Sequence, residues 1–125
     1  MQALKFTLSG KTAFFKRPEV NTYYFTFGNI HWVALSGIFG AILGYQGYNN
    51  TIELPECYQK LKDIKLSILP QNEKGYFSKK IQYYNNSVGY ASKQQGGNLI
   101  IKEQWLENVC WDIVVFLDNE EANKL

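Results

Sequence analysis

One histidine, His31, and two cysteines, Cys57 and Cys110, are the whole stock of soft metal ligands in this 125-residue sequence. Their spacing matches no zinc motif, so neither a metal site nor a cofactor is expected. A catalytic His31 would need a nucleophile or a second acid–base group within hydrogen-bond reach, and no pattern supplies one. The chain is therefore read as a non-enzyme without catalytic residues, and His31 as a capping or packing residue. Neither Gly-Lys-Ser/Thr nor a strand-to-helix Gly-x-Gly-x-x-Gly occurs, so the glycines of residues 37–47 serve packing and turns, not phosphate binding. No apolar run is long enough for a bilayer. The longest, Ile30 to Gly44, spans 15 residues and includes His31 and Ser36, short of the roughly 20 required. Met1-Gln2-Ala3-Leu4-Lys5-Phe6-Thr7 starts like a strand and not like a signal peptide. With two thiols read as free, a reducing cytoplasm is the expected location.

Aromatic residues, in contrast, are abundant: nine Tyr, eight Phe and three Trp. Such rings either fill a β-rich core or form stacking surfaces for bases and anchors for a partner protein. The formal net charge of +2 conceals an uneven distribution. Residues 1–105 carry 12 Lys/Arg against 6 Asp/Glu, whereas residues 106–125 set Lys124 against Glu107, Asp112, Asp118, Glu120 and Glu121. A mildly basic body of this kind permits contact with a polyanion. The length fits one domain, residues 1–125.

Leu4, Phe6 and Leu8 alternate with polar residues over 3–9, the period of a strand, which Gly10 closes. Lys11 to Asn21 reads as a polar loop, with Pro18 excluding a central strand. Tyr23 to Phe27 is a short aromatic extended segment. Asn29 is placed to cap a helix in which Ile30, Val33, Ala34, Ile38, Ala41 and Ile42 share a face. Leu35, Phe39 and Leu43 make its other side apolar too, which predicts a helix enclosed on most sides. Gly37, Gly40 and Gly44 weaken it, in exchange for close backbone approach and, at Gly44, a C-terminal cap. A turn over Gly47 to Asn50, a short helix over Pro55 to Asp63 and a strand over Ile64 to Leu69 follow. Tyr76 to Tyr84 and Asn98 to Trp105 form the arms of a hairpin turning near Gly96-Gly97. Trp111 to Leu117 reads as a strand buried on both faces, and Asp118 to Glu121 as the start of a helix. The order predicts an α+β, incomplete ferredoxin-like fold with an inserted hairpin. Its last helix and strand are expected to be lacking, which leaves a sheet edge uncovered.

Three stretches carry a family resemblance. Phe6-Thr7-Leu8-Ser9-Gly10-Lys11-Thr12-Ala13-Phe14-Phe15-Lys16-Arg17-Pro18-Glu19-Val20-Asn21 resembles the start of Cas five proteins of the type I-B group. Asn29-Ile30-His31, then Ala34-Leu35 and Gly37-Ile38-Phe39-Gly40-Ala41-Ile42-Leu43-Gly44, continue it. Gly75-Tyr76-Phe77, Asn85 to Ala91 and Gly96-Gly97-Asn98-Leu99-Ile100 extend the similarity, which runs to about Leu117. Trp32 departs from the pattern, standing where a basic residue is expected. The resemblance implies a repeat-associated (RAMP) fold whose members cap the 5′ handle of the CRISPR RNA in the Cascade complex. They touch its large subunit and last backbone subunit and extend a β-hairpin thumb, here about residues 76–106. Family chains are commonly about twice as long, so the N-terminal part alone is expected here.

Two surfaces follow for RNA or Cascade contact. Lys11, Lys16 and Arg17 accompany Phe14 and Phe15, and Lys79, Lys80, Tyr83 and Tyr84 lie on one thumb arm. Basic side chains pair with phosphates and rings stack on splayed bases. Two functional readings result. In one the chain is a phage- or plasmid-borne anti-CRISPR decoy that mimics the Cascade subunit and competes for its place. In the other it is part of a genuine Cas five subunit that binds the CRISPR RNA handle and helps assemble Cascade. The uncovered sheet edge also offers a route to a homodimer. RNA processing, which the type I-C branch of the family carries out, lacks a partner for His31.

Overall fold

A computed structural model describes residues 2–19, 23–47, 53–85 and 100–125. Its elements are β1 (Ala3–Ala13), β2 (Tyr23–Tyr24), α1 (Trp32–Leu43), α2 (Glu56–Leu61), β3 (Leu66–Pro70), β4 (Lys79–Asn85), β5 (Ile100–Phe116) and α3 (Glu120–Asn123). The five strands join one sheet, and the other four all pair with β5. Two compact units result: residues 1–9, 30–71 and 110–125 form the first, and residues 10–29 and 72–109 the second. The strands β1 and β5 contribute to both.

In the first unit, β3 runs antiparallel to β5 from Leu66 opposite Val115 to Pro70 opposite Trp111. On β1, the Gln2 carbonyl accepts from the Leu117 amide at 2.9 Å and the Thr7 hydroxyl donates to Asp112 Oδ1 at 2.7 Å. Residue numbers therefore rise along β1 as they fall along β5, so this pair is antiparallel too. Trp111, Ile113 and Val115 are buried to 1% exposure or less, alternating with half-buried Asp112, Val114 and Phe116. The predicted strand buried on both faces is thus buried fully on one. Leu35, Phe39, Leu61 and Ile64 complete the core, with the Phe6 and Phe39 rings edge-on at 6.0 Å.

The helix α1 begins later than the sequence implied. Its N-cap is His31, not Asn29: His31 Nδ1 accepts from the Ala34 amide at 3.2 Å, the bond a capping side chain makes to an orphan N–H. Partial burial lowers the imidazole pKa, which favours the neutral ring that such acceptance needs. At the other end Gly44 adopts φ 79°, the left-handed cap anticipated for it. The enclosure expected of α1 is half fulfilled. Leu35, Ser36, Phe39 and Gly40 are buried, whereas Val33, Ile38 and Ile42 are 50%, 38% and 68% exposed. Leu4, Phe6, Ile38, Phe39, Ile42 and Leu125 line an apolar groove of about 190 Å³ there. On the buried side α1 meets α2, which starts after Pro55. Asn119 caps α3 through the Ala122 amide at 2.8 Å, with Glu120 and Glu121 in the first turn as predicted.

In the second unit β1 continues to Ala13, so Gly10 does not close it and Lys11 stands in a strand, not in a loop. The arms predicted over 76–84 and 98–105 appear as β4 and the first part of β5, paired antiparallel from Lys79–Leu106 to Asn85–Ile100. Their turn at Gly96-Gly97 lies outside the described residues, as does most of the Gly47–Asn50 turn. One strand, β5, replaces the two expected over 98–105 and 111–117. Asn108 at φ 50° breaks the alternation between buried Leu106 and buried Val109 without ending the strand, as a bulge does. Parallel β2 and antiparallel β4 both pair with Lys102 and Glu103, so they occupy opposite edges of β5.

A close approach at Gly40 generates a prediction. A Cβ there would lie 2.4 Å from Cys57 Cβ, whereas one at Gly37 would meet nothing within 4 Å. Gly40→Ala should push α1 from α2 and destabilise by about 1–3 kcal/mol, as overpacking does. Gly37→Ala should stabilise by up to about 1 kcal/mol through helix propensity. Urea unfolding of the two variants checks this, and equal midpoints would contradict the packing described.

Candidate RNA or partner-binding face

Within the second unit, cations and rings alternate across the strands because directly opposed residues share a sheet face. Lys102 of β5 faces Tyr23 of β2 on one side and Tyr83 of β4 on the other. Its ammonium lies 5.1 Å from the Tyr23 ring and 5.9 Å from the Tyr83 ring, within cation–π range of both. Interaction with the Tyr23 phenol raises the Tyr83 pKa, first as a hydrogen bond and then through the negative charge of Tyr23 when ionised. Phe25 stacks on Tyr23 with centroids 6.4 Å apart. Tyr83 is 60% exposed, and Phe25 and Phe27 39% each. This face displays π-surface to solvent beside positive charge.

The opposite face of the same strands carries Tyr24, Glu103, Tyr84 and Trp105. Glu103 is buried to 9% exposure. Its Oε1 accepts from the Tyr84 hydroxyl at 2.7 Å and from Trp105 Nε1 at 3.4 Å. Donating to that carboxylate raises the Tyr84 pKa, chiefly through the hydrogen bond. Lys16 Nζ sits 4.6 Å from the centre of the Tyr24 ring. Thr26, 2% exposed, fixes the segment bearing Lys16 and Arg17: its hydroxyl accepts from the Phe15 amide and donates to the Phe27 carbonyl. Paired backbone bonds, Arg17 to Phe25 and Phe27 to Phe15, hold the two lengths of chain together.

The residues singled out in the sequence sort unevenly. Lys16, Tyr83 and Tyr84 belong to these faces, and the β4 register puts Lys80 with Tyr84 and Lys79 with Tyr83, as alternation predicts. Phe14 and Phe15 are half-buried and are not freely displayed rings. Arg17 is engaged, 3.0 Å from Glu19 and 5.7 Å from the Phe27 ring, and Lys80 lies 3.8 Å from Glu107. Among the described residues Lys11, Lys16, Lys79 and Lys102 form no ion pair. Lys102, Tyr23, Phe25, Phe27 and Glu103 were not singled out. The strand pairing that makes Lys102 the centre of a three-strand row joins distant segments, and only the aromatic composition of 23–27 hinted at the rest. His31 lies outside these faces, in the first unit, as the α1 cap. No group of His, Cys, Asp or Glu among the described residues is arranged to hold a metal ion, and both cysteines are free thiols.

No protein-family model and no curated protein matches the chain. Thirteen chains of solved structures do match. One, a chain of a "CRISPR RNA-guided surveillance complex", aligns over 98% of this chain and 51% of its own, with TM-score 0.72 and 12% sequence identity. This chain thus spans about half the length of that one and shares the fold of the part it covers. The α+β class and the likeness to a surveillance-complex subunit hold at the level of fold, which by itself assigns no function.

Charge on the second unit gives the two faces a measurable property. The triple variant Lys16→Ala/Lys79→Ala/Lys102→Ala should bind heparin or single-stranded RNA more weakly. Its log K against log[salt] should be shallower by about 0.7 for each phosphate no longer neutralised. Loss of exposed Lys16 and Lys79 should change thermal stability little, and loss of half-buried Lys102 should cost about 0.5–1 kcal/mol for each ring contact given up. An unchanged salt slope in a fluorescence-anisotropy titration would remove these residues from any polyanion site.

Proposed function

We propose that this chain is a Cas five-like binding protein that takes the place of that subunit in a type I-B Cascade complex and thereby inhibits CRISPR interference. The observation that carries the reading is the fold shared with a surveillance-complex chain over 98% of this one. The strand order supports it. The order β1–β5–β3, with α1 following β1, corresponds to the first three strands of a ferredoxin-like, RAMP-type split βαβ. On this reading β4 and the start of β5 are the thumb, and the Lys16–Lys102 faces contact CRISPR RNA or an adjoining subunit. The exposed edge and the open side of α1 are surfaces for the large or backbone subunit, or for a second copy. The chain acts in the bacterial cytoplasm, by occupancy and not by catalysis. A competitor of this kind works by mass action, at a concentration and affinity comparable to those of the resident subunit.

A second reading, part of a working subunit that binds the RNA handle, draws support from the unpaired lysines beside exposed rings. One experiment separates the two. Plasmid interference is measured in cells with an intact type I-B system, with and without this chain, and again in cells lacking their own Cas five. A decoy abolishes interference in the first strain and restores nothing in the second. Restored interference in the second strain would establish a working subunit, and no effect in either would overturn the Cascade assignment.

A further inference from the structure

In the first unit, residues 3–9 of β1 form a sheet edge whose backbone direction follows from its neighbours. The Leu117 amide donates to the Gln2 carbonyl, and the Phe116 amide donates to the Lys65 carbonyl on the β3 side. Bonding alternates from one side of a strand to the other. The even residues of β1 therefore bond to β5, and Ala3, Lys5, Thr7 and Ser9 aim their N–H and C=O groups outward. Among the described residues no strand pairs with β1 on that side. Natural edges are guarded by proline or by an inward-pointing charge, and residues 3–9 have neither. Their one charge, Lys5, lies 3.7 Å from Asp112 on the face away from α1. Along the same edge the apolar face stays open. Leu4, Phe6 and Leu8 are half-buried, whereas Trp111, Ile113 and Val115 of β5 are buried. Leu4 and Phe6 share the α1 groove with Ile38 and Ile42, and α1 carries no charged residue.

We propose that this edge pairs with the same edge of a second copy, antiparallel, about a two-fold axis at Phe6. Outward backbone groups meet only where two odd residues face each other, which leaves few registers. An axis at Lys5 sets two ammonium groups directly opposite, which is destabilising. An axis at Thr7 sets Leu4 against Gly10. An axis at Phe6 pairs Ala3 with Ser9, Lys5 with Thr7 and Leu4 with Leu8, and opposes no like charges. The contact is isologous, as a closed dimer requires. Because the axis is normal to the sheet, both α1 helices lie on one side of it. There Ile38 and Ile42 of the two copies flank the joined row of Leu4, Phe6 and Leu8. An edge and a helix that match themselves in charge and in apolar pattern favour a second copy over a strand of another protein. The inference does not depend on the Cascade reading.

Sedimentation velocity of the full chain over a wide range of concentration tests this. The mass should rise from 14.5 kDa toward twice that value, and the Lys5 and Thr7 amides should exchange more slowly as it does. Thr7→Pro removes an outward N–H, which an edge strand tolerates, and Ile42→Glu sets like charges against each other across the axis. Both variants should keep the wild-type circular dichroism and stay monomeric. Ile42 is 68% exposed, so Ile42→Glu decides the matter alone if Thr7→Pro does not fold. A wild-type monomer at every concentration would overturn the inference. A dimer that Ile42→Glu leaves intact would place the interface elsewhere and overturn it as well. A monomer whose Lys5 and Thr7 amides become protected only when Cascade is added would give the edge to a strand of another protein, against the inference. A failed dimer leaves the outcome of the interference assay untouched, so the two readings fail separately.

Discussion

All four other strands bond to β5, and the fold depends on this 17-residue strand reaching through both units. In the first unit its buried side chains, Trp111, Ile113 and Val115, form the floor of the core. In the second, Lys102 and Glu103 are the residues on which β2 and β4 converge. Asn108 sits between these stretches at a positive φ, an unfavourable conformation for a residue with a side chain, although asparagine tolerates it better than most. The aromatic abundance of the sequence is spent on both: Trp111 and Phe39 inside, Tyr83 and Phe25 outside.

Much of this was legible in the residues because it is local. The alternation of Leu4, Phe6 and Leu8, the glycine cap at Gly44 and the acids opening α3 each act within a few residues of where they are read. Gly10 misled, since a glycine between Ser9 and Lys11 looks like an end, yet the ladder carries β1 on to Ala13. Between the stretches read as separate strands, 98–105 and 111–117, a bulge at Asn108 absorbs the polar residues and the strand continues. Asn29 was placed at the cap because it has the stronger intrinsic preference, while His31, read as a capping or packing residue, has the correct spacing to Ala34. The open side of α1 shows a further limit: an apolar pattern all round a helix states what can be buried, and the available partners decide what is.

The two faces of cations and rings were legible only in part. Lysines and tyrosines on β4 announce themselves by composition and alternation. Lys102 does not, because its significance comes from lying between Tyr23 and Tyr83, residues brought from 79 positions before it and 19 before it by strand pairing. The same pairing buries Glu103, which accepts from Tyr84 and Trp105. Fold likeness and face chemistry thus stand side by side: a chain that shares the fold of about half of a surveillance-complex chain displays cations beside exposed rings.

Mutual exclusion tests that account most directly. Native mass spectrometry of a type I-B Cascade, assembled in the presence of increasing amounts of this chain, reports which subunits coexist in one particle. The account predicts particles that contain this 14.5 kDa chain and lack Cas five, in a proportion that follows the ratio of the two. Particles that carry both, or a complex whose composition never changes, would contradict it.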